Sequence, residues 1–147
     1  MMNAESNSKT GSARTRNIIF KITTAITIIG MLVGGASQFF QLAYQVDVFE
    51  QLGYPLYAMS IIGLGKILGG ITLSIPRIPA LFKISAYAGL FFVTIGAVIS
   101  HLATGMYGDA LSPLIVAGIA VTSCLLNPQL KFALERLKSF PTPSLAK

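Results

Sequence analysis

Charge is scarce in this sequence, and cysteine and histidine are nearly absent. Only 11% of its 147 residues are charged, five of them acidic, while 53% are hydrophobic and the mean hydropathy is +0.70. A water-soluble domain carries about 25% charged residues, because its surface must be hydrated. Too few charges are present here to cover such a surface, so much of it must face lipid. A single cysteine, Cys124, lies in an apolar run. It excludes an intrachain disulfide and any Cys-x-x-Cys thiol chemistry, and reads as a small buried side chain. With one histidine, His101, there is no ligand cluster of metal-binding spacing, so no metal is expected. No strand-linked glycine-rich phosphate loop is present, and a lone histidine among membrane serines does not make a hydrolase. The net charge of +6 sits beside apolar segments, which suits anionic lipid headgroups rather than nucleic acid.

What is present is four long apolar runs. Residues 1–16 form a basic, polar leader without periodicity, expected to be unstructured. The first span is expected over about 22–43, a length of about 33 Å at 1.5 Å per residue, enough for the hydrocarbon layer. Asp47 and Glu50 then mark a wet loop closed by Gly53-Tyr54-Pro55. Further spans are expected over 55–75, 81–103 and 111–126, punctuated by Pro76 and Pro79, by Thr104 to Asp109, and by Asn127-Pro128. Together they make a membrane domain over 17–130, followed by a basic tail over 131–147. A cleaved secretory signal near Gly34 to Ser37 is an alternative for the first run. The apolar character that continues through Phe39, Phe40, Leu42 and Val46 argues against it.

The expected fold is all-α, a four-transmembrane-helix bundle with both termini cytoplasmic. Backbone amides in hydrocarbon must be satisfied within each segment, and the runs are too long and too little alternating for barrel strands. Ten of the eleven Lys and Arg residues precede the first run, lie between the second and third, or follow the fourth, and the positive-inside rule makes that side cytoplasmic. Glycine pairs (Gly30 with Gly34, Gly65 with Gly69, Gly89 with Gly96) offer faces for close helix packing.

The eleventh cation, Lys66, falls inside the second span. Placing Lys at the centre of a spanning helix costs about 2.5–3.5 kcal/mol, a cost that marks a functional candidate. Gly63 and Gly70 share its face and point it at the bundle interior. Gln38, Gln41 and Gln45 recur at i, i+3 and i+7 near the end of the first span, with Ser37 and Tyr44 beside them. His101 ends the third span at the same level. The expectation is a polar cavity opening outward, floored by Lys66 and walled by Gln41, Tyr44, His101 and Gln38.

Several of these segments, taken in order, are familiar. Leu52-Gly53-Tyr54-Pro55, Gly63-Leu64-Gly65-Lys66-Ile67-Leu68-Gly69-Gly70, Ile75-Pro76-Arg77, Ala86-Tyr87-Ala88-Gly89-Leu90-Phe91-Phe92, Gly96-Ala97 and Ser100-His101-Leu102 together resemble the DoxX-like family of small membrane proteins, roughly over 44–109. That family often carries Glu-Trp where this chain has Ile84-Ser85. The resemblance implies a four-helix bundle. The family takes its name from a subunit of a thiosulfate:quinone oxidoreductase, and some eukaryotic relatives assist membrane-protein assembly. The chain is therefore expected to be an accessory subunit of a membrane redox complex in a bacterial inner membrane, or a binder of a lipophilic ligand such as a quinone. It has no redox centre of its own and is not expected to be catalytic alone. A scaffold or assembly factor is the alternative, and a small transporter, which would need to dimerise, is a third; a homo-oligomer is compatible with each.

Overall fold

In the computed structural model, residues 2–138 are described, with side chains for 13–136. Met1 and the end of the basic tail, including Lys147, lie outside them. The described residues are all helical, without strands: α1 (Met2–Phe39), α2 (Ala43–Gln51), α3 (Leu56–Ser74), α4 (Ala80–Ala103), α5 (Leu111–Leu126) and α6 (Pro128–Lys138). Three helices are long and apolar enough to cross a membrane, namely α1 from Ala13 onward, α3 and α4. At 16 residues α5 reaches only about 24 Å. It becomes a fourth candidate span only together with α6, from which it is bent by 56°.

The proline punctuation places α3, α4 and α5 within a residue of the expected spans. Two expectations are corrected. Residues expected as an unstructured leader belong to α1, which begins at Met2; Ala4, Glu5, Lys9 and Ala13 are good helix formers and no proline interrupts them. The first span does not continue to 43 but stops at Phe39. There Gln41 adopts φ 51°, Leu42 N–H bonds to Ser37 O at 3.0 Å and Gln41 N–H to Gln38 O at 3.2 Å. This is a Schellman ending with Gln in the left-handed position that glycine usually fills. The wet loop beyond it is instead the helix α2, which ends the same way on Gly53, with Tyr54 N–H on Phe49 O at 2.9 Å. Gly105 closes α4 likewise.

Helices α1, α3, α4 and α5 pack in a closed ring in that order, each antiparallel to its neighbours. The ring is inside-out relative to a soluble bundle. In the most apolar stretches of the three candidate spans only 17%, 28% and 22% of residues are buried, and Phe92, Leu81 and Ile61 point outward. Polar side chains instead occupy the interior, among them Thr27, Gln38, Thr94, His101 and Ser123. Water cannot solvate such an exterior, whereas lipid can.

The glycines that draw helices together are not the expected pairs. A Cβ on Gly35 would meet Gly63 O at 2.8 Å and Lys66 Cβ at 2.9 Å, and one on Gly63 would meet Gly35 O at 2.6 Å. Gly69 and Gly70 abut Met31 and Leu32. These four make the α1–α3 seam: at Gly35 and Gly63 the backbones approach too closely for any side chain, while Gly69 and Gly70 make room for the side chains of Met31 and Leu32. Gly30, Gly34, Gly65, Gly89 and Gly96 have open space instead.

Candidate functional site

At one end of the ring lie the C-termini of α1 and α4, the N-termini of α3 and α5, and the short helix α2. A cavity of about 590 Å³ opens there, with all five helices contributing to its wall. Gly30, Gly34 and Gly96 line it, and their missing side chains are the space it occupies. Most of the wall is aliphatic or aromatic, including Met31, Phe49, Leu90 and Val116. Gln45 and Phe49 of α2, with Leu52 at its C-terminal cap, line the cavity as well. Tyr54 and Asp109, from the connections before α3 and α5, also line it.

Lys66 reaches the cavity from the middle of α3, ten residues beyond Leu56 and eight before Ser74 (66 − 56 and 74 − 66). It is half-buried, and among the described residues neither a hydrogen bond nor an ion pair holds its ammonium. Two further lining residues each leave one buried atom unpaired. Gln38 and His101 are each 8% exposed, and the buried Gln38 Oε1 and His101 Nδ1 make no hydrogen bond. Leaving a buried polar atom unpaired costs about 1–3 kcal/mol, so both atoms are placed to bond whatever fills the hollow, water included. The other polar groups nearby are internally occupied. Thr27 donates to Thr23 O at 2.8 Å, Thr94 to Leu90 O at 2.9 Å, and Ser100 to Gly96 O at 2.8 Å. With its proton so used, Ser100 accepts from the Tyr54 hydroxyl at 2.8 Å.

Of the five residues anticipated from sequence, the structure brings Lys66, His101 and Gln38 to one cavity and leaves Gln41 and Tyr44 outside it. The reason is the chain reversal at Gln41, which breaks the glutamine stripe. Gln41 turns away to donate to Ser60 Oγ at 3.0 Å, and Gln45 returns toward Gln38, whose Nε2 lies 3.4 Å from its Oε1. Tyr44 is exposed on α2, where the neighbouring polar side chains of Ser37 and then Gln45 hold its phenol below the ordinary value. Sequence reasoning missed Tyr54 and Asp109 as lining residues. Their signal was faint, since both stand in short connections where any polar residue is unremarkable.

The opposite end of the ring is closed. Lys83 of α4, only 5% exposed, donates to Gln129 Oε1 at 2.7 Å and to Pro76 O at 3.3 Å, while Gln129 Nε2 donates to the same carbonyl at 2.7 Å. Asn127 caps α6 by accepting from Gln129 N–H at 3.0 Å, with Pro128 in the first turn. One layer further in, the fully buried Ser123 bonds both Thr24 and Tyr87 at 2.7 Å, tying α1, α4 and α5.

No three of His, Cys, Asp and Glu come together as a metal-ligand set among the described residues. The apolar exterior, polar interior and spanning helices define a helical integral membrane protein. Within that class, the family model of the DoxX-like family matches residues 22–123, and the chain belongs to that family. No curated protein matches the chain, and no solved structure does.

Proposed function

We propose that the protein crosses the bilayer four times with both termini cytoplasmic, and that its cavity binds a lipophilic carbonyl ligand such as a quinone. In this reading it serves as an accessory subunit of a membrane redox complex in a bacterial inner membrane. The observation that carries the proposal is the coincidence, in one mainly apolar hollow, of an unpaired Lys66 with the orphaned His101 Nδ1. At about 590 Å³ the hollow falls within the ~300–1,000 Å³ usual for small-molecule sites. Quinone carbonyls need donors at membrane depth, and Lys66 supplies them. The chain brings no redox centre, so electrons would pass between the ligand and a partner. Alternating basic flanks support the topology: Arg77, Lys83, Lys131 and Arg136 cluster at the end away from the cavity.

The test is binding of 1,4-naphthoquinone to the purified protein in dodecyl maltoside, followed by fluorescence quenching. Wild type should bind saturably and Lys66→Met should not, at equal expression. Unchanged binding in the variant would remove Lys66 from the site. A scaffold role has one observation in its favour, the exposed Gly65 with open space over it on the outer face of α3. Loss of a co-purifying membrane protein on Gly65→Leu, with quinone binding intact, would support that second role.

A further inference from the structure

The charge inside the cavity specifies its ligand more narrowly than a lipophilic carbonyl. Thr27 and Thr94, beside the deep part of the hollow, spend their protons on their own helix and are neutral. Gln38 is an uncharged amide. Among the described residues, Asp109 is the one carboxylate that lines the hollow, and it stands exposed in the connection before α5. Asp47 and Glu50 lie exposed on α2 and are not part of the wall. His101 is closer to the mouth and brings no negative charge. The Lys66 ammonium therefore has no counter-charge at its own depth.

An uncompensated cation in a low-dielectric space is attracted far more strongly to an anion than to a neutral dipole. The apolar wall demands that this anion be carried on a hydrophobic body. We infer that the cavity selects lipophilic anions, an ionised acidic head on Lys66 with an apolar ring or chain against Met31, Leu90 and Val116, over neutral molecules of the same shape. The inference rests on the ligand-binding reading above and narrows it. Of the two orphaned atoms, the His101 ring nitrogen Nδ1 can carry a proton toward an anionic head, whereas Gln38 Oε1 accepts only and is left for a hydroxyl or water beside it.

Two probes of nearly equal shape separate the possibilities. 2-Hydroxy-1,4-naphthoquinone is ionised at neutral pH, whereas 2-methoxy-1,4-naphthoquinone is neutral. Titrated into the full chain in dodecyl maltoside, the hydroxy compound should bind at least tenfold more tightly, which corresponds to about 1.4 kcal/mol. Lys66→Arg should keep that preference. Lys66→Met and Lys66→Gln should erase it, bringing the two dissociation constants together, and this comparison also cancels any unequal partition into micelles. Gly34→Leu, which fills the hollow, should weaken both probes. Equal affinity of the two probes for wild type would overturn the anion preference while leaving the ligand-binding reading intact, as would a preference that survives in both neutral variants. Failure of wild type to bind either probe would overturn both.

Discussion

Two lysines of this helix ring are removed from bulk water, one at its α6 end and one in the middle of α3, and their surroundings treat them in opposite ways. Lys83 is buried at the α6 end and satisfied by Gln129 and the Pro76 carbonyl, with Asn127 and Gln129 completing a local knot. Lys66, in the middle of α3, lines a glycine-cleared hollow together with two polar atoms that also lack partners. A satisfied polar cluster stabilises a fold and fixes its geometry; an unsatisfied one costs stability and is retained for use. Under the proposed function, the same kind of side chain holds the fold together in one place and meets a ligand in the other.

Substitutions sharpen that contrast. The largest effect is expected from adjacent glycines on α1. Gly35→Leu would drive a side chain into the backbone of α3 and should cost at least ~3 kcal/mol, read as loss of folded monomer in detergent. Gly34→Leu enters open space and should leave thermal stability within about 1 kcal/mol while filling the cavity. Similar losses for both would break the distinction between seam and hollow. Next comes Lys83→Met, which strips Gln129 of its donor and should destabilise by about 1–3 kcal/mol. Ser123→Ala removes the hydroxyl shared by Thr24 and Tyr87 and should cost about 1–2 kcal/mol; an unchanged melting temperature would deny that this end is held by its polar contacts. The smallest effect is a gain. Gln41→Gly relieves a left-handed residue at the loss of an exposed bond to Ser60, and should stabilise by at most about 1 kcal/mol, measured in the same melts, without touching the cavity.

Much of this architecture was legible because proline writes clear boundaries. Pro55, Pro76, Pro79 and Pro128 mark the limits of α3, α4 and α5, and their apolar content needs no tertiary information. The end of α1 was not legible, since Gln41 holds a conformation that local sequence assigns to glycine. That one reversal moved Gln41 and Tyr44 away from Lys66, and it turned a presumed loop into α2. The glycine pattern was visible but its meaning was not. Spacing suggested packing at Gly30 and Gly34, whereas only the neighbouring helices decide that Gly35 touches a backbone and Gly34 borders a void. Lys66, Gln38 and His101 could be found from sequence because a polar side chain in an apolar run is conspicuous.

The most direct test of the account is the thermal stability of Lys66→Met in detergent, set beside its loss of naphthoquinone binding. An uncompensated cation retained for a ligand predicts an unliganded variant at least as stable as wild type that no longer binds. A clearly destabilised variant would contradict this, because it would give Lys66 the same structural role that Lys83 has.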